Sequence, residues 1–471
     1  MNNYDDLDFL NDYEDNLNEE NPGQNIEDRL NKDSDKFENI KLDSESLEEI
    51  VNFYYDEFHY DKALKYINIL LQYYPYSSEG YHKKALILDG LGKFEEALYC
   101  FEKALLLNPK DSEIFINQGI TLENCGKYKL AIQSYKYALE LEPDNADALF
   151  NLGLSLEKIE SFSEAVECFN EVINLEPNYK DAYYELGYSY DFLDLLNDSV
   201  KAYEMHLKLS PLNYNAWYNK GIVLNRQGKF LKAVDSYETC LAVKENFSPA
   251  WYNCGNAYAA AGRLHKAIEC YENALKIKKE DAYSLHNIGN AFEELNEYEK
   301  AIDYFSRAIE IEPNNFDSYY GRGNCYYNIH KYNESLDDFN SALVLCKDYS
   351  ELWYSKADAE IALGKTDEAL KSYEMVVKLE PKDSDAWYDY GYALLNSKKN
   401  YEALAAFENA IKNNRSWVEP YYEKAKIYFL LGEIENGVSI LNIAFELNPS
   451  DKFSFDFNKD WKRVLDFLMK R

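Results

Sequence analysis

Asparagine side chains recur in this sequence at an interval of 34 residues. One column contains Asn117, Asn151, Asn219, Asn253 and Asn287, and a second column, three residues later, contains Asn256, Asn290 and Asn324. An asparagine amide carries both hydrogen-bond donors and acceptors. A column of amides can therefore pair with the backbone of an extended polypeptide, whatever side chains that polypeptide has. The alternative is a structural role, since asparagine is abundant throughout the chain.

Aromatic residues occupy the position just before the first asparagine column. They are Phe150, Tyr184, Tyr218, Tyr252, Tyr320, Tyr354, Tyr388 and Tyr422. A tyrosine offers a large contact area and a hydroxyl tip that forms hydrogen bonds, and it is favoured at protein interfaces. The rings are therefore candidates for ligand contact. Packing against the neighbouring repeat is an equally good interpretation of them.

Acidic residues form a further column, three positions before the aromatic one. They are Glu45, Glu79, Glu113, Asp147, Asp181, Asp317, Glu351, Asp385 and Glu419. They could select a basic ligand, but we favour a helix-dipole role, because an acid in a first turn stabilises a helix by about 0.3–1 kcal/mol. Asn215, Pro249 and Tyr283 break the column. They mark residues 214–325, where the asparagine column is also unbroken, as the first choice for a binding site.

All these columns belong to one period of 34 residues that runs through residues 44–451 without insertion or deletion. The twelve repeats, numbered 1 to 12 below, begin at Ser44, Ser78, Ser112, Ala146, Lys180, Tyr214, Ser248, Ala282, Phe316, Ser350, Ser384 and Val418. A fixed period of this length predicts a solenoid, in which each repeat buries its apolar surface against its neighbours. Residues 1–43 are predicted to be an acidic disordered tail, and residues 452–471 a C-terminal capping helix.

Each repeat has the pattern of two helices joined by a turn. In repeat 2, apolar residues with helical spacing precede Gly90–Lys93, a second apolar stripe begins at Phe94, and Pro109 ends that helix. Position eight of the repeat is usually glycine, and position 24 is usually aromatic. We predict that the missing side chain allows two helices to approach closely, with the ring filling the adjacent space.

These packing columns resemble those of the tetratricopeptide repeat family. Repeat 7 carries the pattern in full, with Trp251, Gly255, Tyr258, Ala267, Tyr271 and Ala274. The resemblance implies an all-α fold, an α-solenoid in which helix–turn–helix repeats stack into a right-handed superhelix. It also implies that the first helix of each pair lines a concave groove. The predicted peptide-binding residues of that groove are Asn117, Asn151, Tyr218, Asn219, Tyr252, Asn253, Asn256, Asn287, Asn290, Tyr320 and Asn324.

Composition restricts the classes of partner. The formal net charge of −34 disfavours nucleic acid and anionic membranes, and it suits solubility or a basic partner. The sequence shows no signal peptide, no apolar run long enough to span a membrane, and eight cysteines without a C-x-x-C pair, which predicts a cytoplasmic protein. No phosphate loop, nucleophile elbow or metal-ligand spacing is present, so we predict no enzymatic activity, cofactor or metal.

Two functions fit these observations. In the first, the chain is an adaptor whose groove holds an extended segment of a partner protein. In the second, it is a scaffold subunit that uses its convex surface and its acidic N-terminal tail, and the oligomeric state stays open. Repeat 5 departs most from the consensus, with Glu185, Leu196, Ser199 and His206 at unusual positions. It is either a flexible joint or a repeat with compensated packing.

Overall fold

A computed structural model describes residues 44–449, and these residues form helical pairs throughout. Within that range there are 24 α-helices and no β-strand. The predicted tail and the predicted capping helix lie outside the described residues. No helix between residues 44 and 449 has the length and apolar character needed to cross a bilayer.

The first helices of the twelve repeats carry odd numbers. They are α1 Ser44–Asp56, α3 Ser78–Gly90, α5 Ser112–Asn124, α7 Ala146–Lys158, α9 Lys180–Phe192, α11 Tyr214–Arg226, α13 Ser248–Ala260, α15 Ala282–Glu294, α17 Phe316–Asn328, α19 Ser350–Ala362, α21 Ser384–Asn396 and α23 Glu419–Leu430. All but α23 begin at the predicted start of a repeat, and α23 begins one residue later.

The second helices carry even numbers. They are α2 Tyr60–Tyr73, α4 Phe94–Leu107, α6 Tyr128–Leu141, α8 Phe162–Leu175, α10 Leu196–Leu209, α12 Phe230–Val243, α14 Leu264–Ile277, α16 Tyr298–Ile311, α18 Tyr332–Leu345, α20 Thr366–Leu379, α22 Asn400–Asn413 and α24 Ile434–Leu447. The all-α solenoid of helix pairs expected from the sequence is therefore confirmed.

Glycine at position eight and the ring at position 24 meet inside repeats 3, 4, 5, 7, 8, 9 and 11, as the sequence predicts. A Cβ atom on Gly119 would lie 2.5 Å from the ring of Tyr135, and one on Gly153 would lie 2.5 Å from the ring of Phe169. Both rings are completely buried. The close approach of the two helices thus depends on the absence of a side chain at position eight.

The turn inside each repeat has a left-handed residue at position 15. In six repeats this residue is glycine, for example Gly92 with φ +70°. In the other six it is Phe58, Glu160, Asp194, Asn296, His330 or Lys398, each with φ between 57° and 64°. A non-glycine residue is strained in this region of φ. All twelve turns nevertheless have a left-handed residue at the same position, so the packing of the two helices sets the conformation of the turn more strongly than the residue type does.

The chain divides into two compact units, residues 1–223 and residues 224–471, and the boundary falls within α11. Within each unit successive helices pack against each other, and consecutive first helices also make contact, as α5 does with α7 and α15 with α17. Among the described residues of either unit taken by itself, no two consecutive second helices make contacts of that extent. The first helices therefore line the inner face of each unit.

Repeat 5 satisfies its unusual residues internally. The buried hydroxyl of Ser199 donates a hydrogen bond of 2.7 Å to the carbonyl oxygen of Gly187. The ring of His206 is buried. Its Nδ1 lies 2.7 Å from the carbonyl oxygen of Lys180, and its Nε2 lies 2.9 Å from the side-chain amide nitrogen of Asn213. A neutral imidazole protonated on Nδ1 makes both bonds. These contacts support compensated packing, and the flexible joint stays a prediction.

Candidate peptide-binding face

The residues of the aromatic column that precedes the first asparagine column stand at position five of the repeat. They pack against the second helix of their own repeat. The ring of Tyr252 lies 5.9 Å from that of Tyr271, and the ring of Tyr388 lies 5.5 Å from that of Phe407. In each pair the second ring belongs to position 24. The ring-to-ring contact is thus within the same repeat, and the clusters against which Tyr184 and Tyr354 pack also contain Ala216 and Ala386 of the next repeats, as the alternative interpretation expected.

The asparagines at position six connect consecutive repeats. Asn219 Nδ2 donates to the hydroxyl oxygen of Tyr184 at 3.0 Å, and Asn287 Nδ2 donates to that of Tyr252 at 3.2 Å. Asn117 lies 2.9 Å from the ring nitrogen Nε2 of His82 in the same way. Each pair spans 35 residues, from position six of one repeat to position five of the preceding one. The first asparagine column therefore has a structural role as well as a predicted binding role.

In the second unit the asparagines at position nine belong to the same network. Asn256 Oδ1 accepts a hydrogen bond from the hydroxyl of Tyr271 at 2.8 Å and one from Asn287 Nδ2 at 3.0 Å. Asn290 Nδ2 lies 3.0 Å from Nε2 of His286, whose Nδ1 lies 3.0 Å from the Ser318 hydroxyl. Burial lowers the pKa of His286, so its ring is neutral and takes the place of an aromatic residue at position five.

All eleven residues predicted to bind a peptide lie half-buried on first helices. Four of them belong to the first unit, namely Asn117, Asn151, Tyr218 and Asn219, and the other seven belong to the second. The hydroxyl of Tyr320 lies 3.4 Å from that of Ser355, which holds position six of the next repeat. The described structure contains no ligand, so the binding role of these residues stays a prediction.

Two polar clefts lie on the first helices of the first unit. The larger one, of about 740 Å³, is lined by Asn117 and Asn151 together with the acidic residues Glu113 and Asp147. The smaller one, of about 580 Å³, includes His82, Glu79 and Glu113 among its lining residues. The acidic residues at position two therefore lie in the first turns of their helices and also border these clefts.

Sequence analysis missed a pair of carboxyl groups on the same face of the first unit. Glu157 accepts a hydrogen bond of 2.5 Å from the hydroxyl of Ser189, and its carboxyl group lies close enough to that of Glu185 for each to influence the pKa of the other. Burial, followed by the repulsion between the two carboxylates, raises the pKa of Glu157, and burial raises the pKa of Glu185. In the sequence, Glu185 is recognisable only as an unusual residue of repeat 5, at the position where several other repeats have asparagine. Glu157 stands at position twelve of repeat 4, and Glu185 and Ser189 stand at positions six and ten of repeat 5. A comparison of these positions across consecutive repeats could have revealed the pair.

Several solved structures are similar to parts of this chain. YrrB, described as a tetratricopeptide repeat protein with an unusual peptide-binding site, is 26% identical, with 39% of this chain and 94% of YrrB covered at a TM-score of 0.36. MamA is 26% identical, with 36% and 94% covered at a TM-score of 0.35. Yeast Tom70 is 18% identical, with 90% and 94% covered at a TM-score of 0.36. No curated protein sequence matches the chain significantly.

Models of the tetratricopeptide repeat match most of the solenoid. The models described as "Tetratricopeptide repeat" match residues 78–111, 100–133, 146–179, 184–244, 282–315, 304–337, 354–413 and 418–451, and the model described as "TPR repeat" matches residues 124–160 and 255–296. Together they cover both units of the chain. The chain therefore belongs to the tetratricopeptide repeat family, whose members are generally non-catalytic interaction modules.

Proposed function

We propose that this protein is an adaptor that holds an extended segment of a partner protein along the face of its first helices. The observation that carries the proposal is the recurring hydrogen bond from the amide at position six to the ring at position five of the preceding repeat. It holds the amides in fixed positions on that face. An asparagine amide has two N–H donors and an oxygen with two lone pairs, so these bonds leave capacity for pairing with a peptide backbone.

The spacing of the repeats suits an extended segment. Packed helices lie about 8–10 Å apart, and an extended chain rises about 3.3 Å per residue. One repeat therefore spans about three residues of the bound segment, so that an amide is presented at every third residue. Contacts of this kind recognise a backbone, and the affinity should increase with each three residues added to the segment.

The charge of the chain favours a basic segment. Glu113 and Asp147 border the larger cleft, Glu79 borders the smaller one, and the whole chain has a formal net charge of −34. Such a field accelerates association with a cationic partner and repels nucleic acid. The region from residue 214 to 325 lacks acidic residues at position two until Asp317, so backbone pairing would dominate there.

The test compares two triple variants of equal size. Asn219, Asn253 and Asn287 are replaced by alanine on first helices, and Asn170, Asn273 and Asn409 are replaced by alanine on second helices as the control. Partner proteins are recovered from extracts of the native cell with each variant as bait, and thermal unfolding confirms that both variants fold. We expect the first-helix variant to lose the partner and the control to retain it.

Equal recovery by both variants would show that the first-helix face is not the binding surface. A third bait that lacks residues 1–43 examines the alternative scaffold function in the same assay. If that bait alone loses the partner, the binding surface is the N-terminal segment and the adaptor proposal is wrong.

A further inference from the structure

Three aromatic rings form an exposed cluster in the first unit. The rings of Phe162 on α8 and Phe192 on α9 stack with centroids 4.5 Å apart and planes at 13°. The ring of Tyr188 lies 4.8 Å from that of Phe192 and 6.4 Å from that of Phe162. Tyr188 is 37% exposed and Phe192 is 57% exposed. Repeat 5 is the only repeat with aromatic residues at both position nine and position thirteen.

The pair of carboxyl groups lies beside this cluster. Glu185 precedes Tyr188 by three residues on α9, which places the two side chains on one face of the helix. Glu157 reaches the same place from α7, because it accepts a hydrogen bond from Ser189 and interacts electrostatically with both Glu185 and Tyr188. Within residues 44–449 neither carboxylate forms a salt bridge. An exposed aromatic surface thus adjoins two acids that form no salt bridge in the described residues, although Lys158 lies near enough to oppose the rise in both pKa values.

We propose that Phe162, Tyr188 and Phe192, with the carboxylates of Glu157 and Glu185, form a pocket for an arginine side chain of the bound segment. This inference rests on the proposed function, since the pocket lies on the same face of the first helices. A guanidinium group is planar and weakly hydrated, stacks on aromatic rings, and donates several hydrogen bonds in a fork that matches carboxylates.

Charge complementarity selects arginine from among the possible side chains. An apolar side chain would cover the rings but would leave the two acids without a counter-charge, and an acidic side chain would be repelled. A lysine ammonium would supply the charge, but it lacks a flat surface to stack on the rings. Arginine can both stack on the aromatic rings and pair with the carboxylates.

Binding of the guanidinium should release a proton. In the free protein, burial and mutual repulsion favour one proton shared between Glu157 and Glu185. The arriving cation stabilises both carboxylates in their ionised form, so the shared proton passes to solvent. Other titratable groups near the pair or the adjacent ring are Lys158, Asp181, Tyr184, Tyr188, Asp191 and Tyr203.

The experiment uses a fluorescein-labelled peptide of alternating glycine and arginine and the full-length protein. Two matched peptides replace arginine by lysine or by citrulline, which keeps the shape of arginine without its charge. Fluorescence anisotropy is measured at about 0.3 M salt, where attraction between distant surface charges is screened. We expect the arginine peptide to bind about tenfold more tightly than the lysine peptide, and the citrulline peptide to bind most weakly.

Two double variants separate the pocket from the general acidic field. Tyr188→Ala with Phe192→Ala removes the rings without changing the net charge. Tyr392→Ala with Leu430→Ala removes exposed side chains at the same two repeat positions elsewhere, where Tyr392 is 46% and Leu430 is 64% exposed. We expect the first pair to weaken arginine-peptide binding about tenfold, and the second pair to leave it unchanged.

Calorimetry in two buffers of different ionisation enthalpy measures the released proton. Wild-type protein should release a proton when the arginine peptide binds, and Glu185→Gln should not. The proposal is wrong if the arginine peptide fails to bind, if arginine and citrulline peptides bind equally, if both double variants have the same effect, or if no proton is released.

These outcomes are distinct from a failure of the proposed function. If the ring variant retains the arginine peptide while the first-helix asparagine variant loses the partner protein, the pocket is wrong and the adaptor proposal stands. If the ring variant loses the peptide while the asparagine variant retains the partner, the pocket exists and the proposal of backbone pairing is wrong.

Discussion

Repeat 9 and the junction of repeats 4 and 5 each bury a carboxylate between helices, but they supply it with different neighbours. In repeat 9, Arg322 donates from Nε and Nη2 to the two oxygens of Asp338, at 2.8 and 2.7 Å. At the junction, the neighbour of Glu157 is a second carboxyl group, Glu185. In the first arrangement the carboxylate forms a salt bridge, whereas in the second neither carboxyl group forms one and Lys158 only opposes the rise in their pKa values.

The difference separates a structural ion pair from a candidate binding site. Burial raises the pKa of Asp338 even though Arg322 opposes that rise, so the ion pair offsets only part of the desolvation penalty. At the junction, burial and repulsion act in the same direction on Glu157. A cationic ligand could therefore form a salt bridge with a carboxylate at the junction, whereas in repeat 9 Arg322 already pairs with the carboxylate of Asp338.

Replacement of Arg322 by methionine should have the largest effect on stability. It leaves the Asp338 carboxylate buried without its partner, and the loss should be about 3–5 kcal/mol. Native-state hydrogen exchange of residues 316–349 at pH 7 measures the local free energy of opening. Arg322→Met combined with Asp338→Leu is the control, since it removes both charges and should recover most of the loss. If the single variant is as stable as the wild type, the pair does not hold the repeat together.

The Glu157–Glu185 pair should respond to pH in a defined direction. The folded protein raises both pKa values, so the pair favours folding fully below the pKa of an unfolded glutamate, about 4.3, and this contribution is lost as the pH rises through the folded pKa values. Glu185→Gln removes the repulsion and should stabilise residues 146–213 at pH 8 by on the order of 2 kcal/mol. Hydrogen exchange from pH 5 to 9 provides the measurement.

The pH series also has its own control. Glu157, Lys158, Asp181, Tyr184, Tyr188, Asp191 and Tyr203 remain in both proteins, and burial alone keeps the pKa of Glu157 raised, so part of the pH dependence should persist in Glu185→Gln. A pH dependence as large as that of the wild type would belong wholly to those groups. In that case the carboxyl pair does not share a proton, and the contrast with repeat 9 loses its basis.

A smaller effect on stability is expected from the serine that forms a hydrogen bond at each site. Ser189 donates to Glu157 at 2.5 Å, whereas Ser306 accepts a hydrogen bond of 2.9 Å from Arg322. Ser189→Ala removes the hydroxyl donor from a carboxyl group that has no salt bridge, which should cost about 1.5 kcal/mol. Ser306→Ala leaves the two-point pair with Asp338 in place and should cost less. If both variants lose the same free energy of unfolding in thermal or urea denaturation, the carboxylates of Glu157 and Asp338 depend equally on their neighbouring serines, which would contradict the proposed difference.

Sequence reasoning succeeded where one repeat position decides the outcome. Glycine at position eight and a ring at position 24 predict a close helix contact, and Gly153 with Phe169 shows it. The helix starts followed from the period itself. These features depend on residue type and spacing alone, and repetition makes the signal clear.

Reasoning from single columns failed where two columns of adjacent repeats interact. The bond from Asn219 to Tyr184 and the pairing of Glu157 with Glu185 depend on the directions of side chains across a repeat boundary. Within one column, Glu185 is only an exception to asparagine. The role of His286 was missed for a related reason, because an imidazole can replace a phenol ring at position five while adding a hydrogen-bonding nitrogen on each side.

The smallest expected effect tests whether backbone strain contributes to the difference between the two regions. Glu160, in the turn after α7, has φ 63°, and His330, in the turn after α17, has φ 64°. Glycine adopts this conformation without the steric cost that other residues incur, so Glu160→Gly and His330→Gly should each stabilise the local helix pair by about 1 kcal/mol. His330→Gly also removes the 2.8 Å contact between Nδ1 of His330 and the hydroxyl of Tyr332, so its gain should be the smaller of the two. If neither variant is more stable than the wild type in urea unfolding, backbone strain contributes nothing to the difference between the two regions.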